Sequence, residues 1–169
     1  DLESGNAEKG LTNRLCDGQG KWQLRVRSDD DLDMMGLIRT PDGFLTSLND
    51  VVPLENGNNV AYFANPASNI NQQTFLRVVN TTGLSGTVTI TGTDDVGMSS
   101  DGSVTFTLSA YESKQMTAQD LEVGNAGKEL TGSLGDGIGK WRLNIASDLN
   151  LEAMSLIRTT DGFLTNLSG

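Results

Sequence analysis

The chain contains no histidine and a single cysteine, Cys16, among its 169 residues. The first absence excludes a Ser-His-Asp or Cys-His catalytic arrangement and any histidine-containing zinc site. The second excludes an intrachain disulfide and a cysteine-rich metal cluster. Basic residues are scarce, with 12 Lys and Arg against 22 Asp and Glu, net −10. Clustered positive charge is what draws proteins to nucleic-acid backbones, so nucleic acid is not expected as a partner. No apolar run approaches the roughly 20 residues of a membrane helix, so no membrane insertion is expected. Neither an initiator methionine nor a signal peptide is visible, which suggests a fragment, a processed product or an engineered chain.

What the chain does have is an internal repeat. Residues 1–50 and 120–169 align at a constant offset of 119 without gaps, and 30 of the 50 paired positions are identical. Both copies open on Asp-Leu-Glu (Asp1, Asp120), pass through Gly-Lys-Trp (Trp22, Trp141) and close on Gly-Phe-Leu-Thr (Phe44, Phe163). Residues 51–119 occur once. We expect a period of 119, with 1–50 the C-terminal part of a preceding repeat module and 51–169 one complete module. A 50-residue unit without metal or disulfide would bury too little apolar surface to stand alone. Residues 1–50 would then either complete a neighbouring subunit, pack on an upstream module, or fold against the centre of the same monomer. Acidity is spread over all three segments, as on a solvated surface.

Period-2 alternation dominates the local pattern. Val88 and Ile90 alternate with threonines, Val104, Phe106 and Leu108 do the same, and Trp141, Leu143 and Ile145 alternate with polar residues. The copy Lys21–Val26 keeps that alternation through Trp22, Leu24 and Val26. Half-buried antiparallel strands carry this signature. Further strands are expected at Val60–Ala64, Thr74–Asn80, Ser113–Ala118, Ala153–Thr159 and Phe163–Leu167. The last two are expected to be joined by a two-residue turn at Asp161-Gly162, repeated at Asp42-Gly43. Asp120–Leu134 has room for a helical turn, although its glycines favour a loop. About seven short strands in 119 residues predict an all-β fold, an immunoglobulin-like antiparallel β-sandwich.

Four runs together form a distinctive pattern: Phe63-Ala64-Asn65-Pro66-Ala67-Ser68-Asn69, Val88 to Gly97, Gly139-Lys140-Trp141-Arg142-Leu143, and Asp161 to Leu167. The pattern resembles a tandem β-sandwich repeat module of large secreted or surface-attached bacterial proteins. Such modules often lie beside protease, cadherin-like or other extracellular domains. The resemblance implies an extracellular, non-catalytic role and a bacterial cell-surface location. It carries no established ligand or catalytic residue.

Candidate sites have competing plain explanations. Asp94, Asp95 and Asp101 lie in one Gly-containing loop, and Asp29, Asp31 and Asp33 in an acidic run. Both offer oxygen ligands for calcium. Only Asp29 of the acidic run keeps its identity in the second copy, as Asp148, so polar turns are the simpler reading. Trp22 and Trp141 are candidate sugar-stacking platforms, but their parity with Leu24 and Leu143 puts them on the apolar face. Arg39 and Arg158 read as outward strand residues or partners of Asp42 and Asp161. Asp17-Gly18 and Asp136-Gly137 read as turns, and Cys16 as an incidental thiol. No paired-carboxylate or nucleophile motif marks an enzyme. The expected function is a non-enzymatic structural or adhesive tandem repeat without cofactor. Its partners would be neighbouring modules or identical subunits, assembled head-to-tail into a surface fibre by sharing strands. The competing expectation is a calcium- or glycan-binding accessory module of a secreted enzyme.

Overall fold

A computed structural model describes residues 1–18, 22, 24–31, 36–39, 45–47, 52–54 and 61–166, with 45–47, 52–54, 61 and 62 described by their backbone. In chain order the strands are β1 (Leu37–Arg39), β2 (Leu45–Ser47), β3 (Val52–Leu54), β4 (Ala61–Ala64), β5 (Gln72–Asn80) and β6 (Gly86–Thr93). They continue with β7 (Val104–Leu108), β8 (Ser113–Thr117), β9 (Trp141–Ser147), β10 (Leu151–Thr159) and β11 (Leu164–Asn166). One α-helix, α1 (Ala118–Val123), and two 3-10 turns, Ala7–Lys9 and Ala126–Lys128, complete the described elements. The chain divides into two compact units, Asp1–Asp33 and Met34–Gly169.

In the larger unit two antiparallel sheets form a mostly β architecture. One runs β11-β10-β5-β8, with β3 also on β10; the other runs β4-β9-β6-β7. Alternation sets which side chains meet between them. Leu76, Val78 and Met116 face inward from the first sheet with Leu151 and Ala153; Val88, Ile90, Val104, Phe106, Trp141, Leu143 and Ile145 face inward from the second. Each is at most 3 % exposed. Burying a side chain of this kind contributes about 1.5–3 kcal/mol, so this layer dominates the stability of the fold. Polar groups in it are tied down. Asn80 donates to the carbonyls of Leu84 and Ser109 at 2.6 and 2.8 Å, and Ser155 donates to the carbonyl of Phe63 at 2.9 Å.

Four local expectations need correction. Residues 22 and 24–26 are not in a strand, although their copy is β9. The β10–β11 hairpin has a three-residue loop, 160–162, rather than a two-residue turn. Arg158 pairs with Leu164, and Gly162 at φ 89° closes the turn on Thr159. This is the arrangement in which a turn is followed by a left-handed residue and a bulge. The equivalent loop around Asp42-Gly43 lies outside the described residues. Alternation does not reveal β3 because Pro53 interrupts its pattern; among the described residues β3 pairs with β10 alone, an edge position in which proline is tolerated. Finally, Asp120–Leu134 does hold helix, because a capping box between Thr117 and Asp120 starts α1 just ahead of that window.

Candidate interaction surface

The segment after β8 is organised by hydrogen bonds from one short acidic motif. Asp120 accepts the backbone N–H of Thr117 at 2.8 Å and the amide of Asn125 at 2.6 Å, and it pairs with the Lys128 ammonium. Burial alone would raise its pKa, but Lys128, the Thr117 N–H and Asn125 outweigh this and bring it from 3.8 to about 2. The carbonyls of Leu121 and Glu122 accept the N–H groups of Leu134 and Gly135 at 2.8 and 3.1 Å. The Glu122 carboxylate accepts the Trp141 indole N–H at 2.9 Å and the Ala67 backbone N–H at 3.0 Å. The Trp141 ring lies against Gly92 and Gly137, where a Cβ would collide with it. Gly137, expected as a turn glycine, is the flat seat of the tryptophan.

Residues 1–18 and Trp22 repeat much of this arrangement at the offset of 119, without counterparts to the Thr117 and Ala67 donors. Asp1 accepts from Asn6 at 2.8 Å and pairs with Lys9. The carbonyls of Leu2 and Glu3 accept from Leu15 and Cys16 at 2.9 and 3.1 Å. The Glu3 carboxylate accepts the Trp22 indole N–H at 2.5 Å, and Gly18 lies against that ring. Asn6 caps the turn Ala7–Lys9 as Asn125 caps Ala126–Lys128. Further along, β1 pairs with β2 in the register of β10 with β11: Leu37 faces Ser47 as Leu156 faces Asn166, and Arg39 faces Leu45 as Arg158 faces Leu164.

The two copies differ in what covers them. Trp22 is 43 % exposed against 2 % for Trp141, Leu15 is 46 % against 1 % for Leu134, and Leu24 is 49 % against 0 % for Leu143. Leu2 and Val26 are exposed while Leu121 and Ile145 are buried. The expectation that Trp22 is buried by parity is therefore wrong for this chain, and that for Trp141 is right. In the second copy the cover is β5 to β8 and the loops joining them, drawn from the stretch that the chain holds once. No family model matches the chain, and no match was found among curated proteins or solved structures.

The uncovered copy is also concave. A hollow of about 540 Å³ is lined by Ser4, Asn6, Leu11, Thr12, Asn13 and Arg14, among others. The counterparts of Thr12, Asn13 and Arg14 are Thr131, Gly132 and Ser133. Thr131 exchanges two backbone hydrogen bonds of 2.8 Å with Thr105 at the start of β7, and Gly102 and Ser103 lie against Ser133 and Gly132. In the second copy, the counterparts of three lining residues are thus in contact with residues 102–105.

The calcium candidates have other partners. Asp94 accepts the N–H groups of Val96, Met98 and Ile138 at 3.1, 2.8 and 3.1 Å. Slight burial would raise its pKa, but these backbone donors and that of Gly97 lower it. Asp95 accepts the Lys140 N–H at 2.8 Å, and Asp101 is exposed beside Gly135. Asp94 and Asp95 thus tie the 94–98 loop to residues 138–140. Asp29 and Asp31 are exposed, and Asp33 lies outside the described residues. Among the described residues no group of three or more carboxylates or thiols is gathered tightly enough for a metal ion. Arg39 and Arg158 face outward, Cys16 is an exposed thiol, and Tyr111 is half exposed.

Proposed function

We propose that the protein is a non-enzymatic structural or adhesive tandem repeat of a secreted or surface-attached bacterial protein, with a period of 119 residues and immunoglobulin-like sandwiches as its units. The observation that supports this reading is the pair of equivalent segments, 1–22 and 120–141, with matching hydrogen bonds and unequal cover. A segment that reproduces its fold but exposes its core face is built to sit against a neighbour of the same kind. Acidic, evenly distributed charge and a near-absence of cysteine suit a solvated extracellular array. Its work in this reading is spacing and presentation, with repeats joined one after another into a fibre. Polypeptides carrying two, three and four repeats, imaged by electron microscopy, test it. A constant increment in particle length per repeat is expected. A particle whose length does not grow with repeat number would overturn it.

A further inference from the structure

Resting on this tandem-repeat reading, we propose that the hollow and the exposed apolar side chains of residues 1–26 are the seat for a sheet-forming segment of a preceding repeat. That segment is built like residues 51–119 but takes a different backbone path opposite Asn13, where residues 51–119 carry the Ser103 carbonyl. The occupant is not a second copy of this chain.

The second copy shows what such a seat receives. Thr131 is held by Thr105 in a two-way backbone pairing, Gly102 and Ser103 run beside Ser133 and Gly132, and Leu121, Leu134, Leu143 and Ile145 are buried in one cluster with Leu76 and Val78 of β5, Met116 of β8 and Val88 and Ile90 of β6. Leu2, Leu15, Leu24 and Val26 hold the equivalent positions in the first copy and are about half exposed. Glu3 binds Trp22 as Glu122 binds Trp141, but the second donor that Glu122 receives, the Ala67 N–H, belongs to the stretch present once.

Two observations select the occupant. The first is number. The chain holds two segments of the 1–50 type and one of the 51–119 type, so a second identical chain can cover residues 1–26 only by uncovering its own residues 120–145. Such an exchange leaves as much apolar surface bare as before. The second is fit. Gly132, at φ 80°, lies so close to the Ser103 carbonyl that a Cβ there would overlap it, and the first copy has Asn13 at that position. Asn13 does not adopt a positive φ, so the backbone of the hollow also differs locally. At Gly135 a Cβ would lie 3.1 Å from the Asp101 carboxylate, and the first copy has Cys16 there at φ 62°. Residues 51–119 are therefore shaped for Gly132, since a side chain held in its conformation would overlap the Ser103 carbonyl, whereas a side chain at the Gly135 position needs only a small shift of the exposed Asp101 carboxylate. The first copy matches a relative of 51–119 with more room opposite Asn13.

The test joins residues 51–119 ahead of Asp1, so that Gln119 precedes Asp1 as it precedes Asp120, and compares this extended chain with its N13G/C16G variant. Acrylamide quenching of tryptophan reads the result. In the 169-residue chain Trp22, 43 % exposed, is expected to be quenched and Trp141, 2 % exposed, to be shielded, which also reports that the second copy is folded. In the N13G/C16G extended chain the quenchable share is expected to fall about fivefold as strands add over Trp22, while the unsubstituted extension leaves it almost unchanged. Equal protection in both would overturn the proposed mismatch and leave the tandem-repeat reading standing. Protection in neither, with every Trp141-type signal still shielded, would overturn the tandem-repeat reading itself. Trp22 becoming shielded in the 169-residue chain as its concentration is raised would make a second copy the occupant and overturn the proposal.

Discussion

The Glu122 carboxylate holds the Trp141 indole N–H at 2.9 Å inside the protein, with Trp141 2 % and Glu122 9 % exposed. The same oxygen accepts the Ala67 N–H, so one side chain joins α1, β9 and the turn after β4. E122A would leave two donors without an acceptor and is expected to cost about 2–4 kcal/mol, read from the urea midpoint. E122Q keeps a carbonyl acceptor and should lose about half as much. E3A, at the exposed counterpart, is expected to stay within about 0.5 kcal/mol.

Paired truncations separate local fold from cover. Leu134 is 1 % exposed and Leu15, its counterpart, 46 %. L134A should destabilise by about 2–5 kcal/mol because it opens a cavity in the core. L15A should cost less than about 1 kcal/mol. Thermal denaturation of the two variants checks this, and equal losses would mean that the first copy is covered in solution.

Gly137 and Gly18 offer a second pair. A Cβ on either would enter the ring of the tryptophan beside it. G137A acts on a buried ring that also packs against Gly92, and a cost of about 1–3 kcal/mol is expected from overpacking. Near-ultraviolet circular dichroism should record the displaced indole. G18A acts on an exposed ring that can swing outward, so its effect on stability is expected to be small.

Acid stability should report Asp120. Its carboxyl titrates at about 2 in the folded protein against an ordinary 3.8, so the ionised form is favoured by folding. That contribution is present above about pH 4 and is lost as the pH falls toward 2. K128M removes the opposing ammonium, raises the Asp120 pKa and moves the loss of stability to higher pH. Carboxyl chemical shifts and urea midpoints between pH 5 and pH 2 measure both effects. Asp94, also lowered, titrates in the same direction.

Alternation made β6, β7 and β9 legible, since Val88, Ile90, Phe106, Leu143 and Ile145 sit on the face where their parity puts them. The same rule failed at Trp22, Leu24 and Val26. A period-2 pattern states which side chains need cover and says nothing about whether the covering chain is present. Pro53 hid β3 because an edge position, invisible in sequence, excuses its missing donor. Asp94 and Asp95 stand out as candidate calcium ligands beside the simpler turn reading because acidity is visible in sequence, whereas the backbone donors of Ile138 and Lys140, over forty residues away, are not. The glycines under both tryptophans were in view, yet only the ring packed on them shows why glycine stands there.

The outer edge of β10 is shared by β3 and β11, lying nearly end to end. Val52 pairs with Ala153 and Asn166 with Leu156, three residues along β10 and so about 10 Å apart. The sandwich therefore hangs from the polypeptide like a bead on a short clasp, its two points of attachment side by side. In the proposed array, tension would load two three-residue ladders before it reached the nine-residue register between β5 and β10. Peeling those clasps would then lengthen the proposed array while the buried layer stays closed, each unit yielding at its edge before its core.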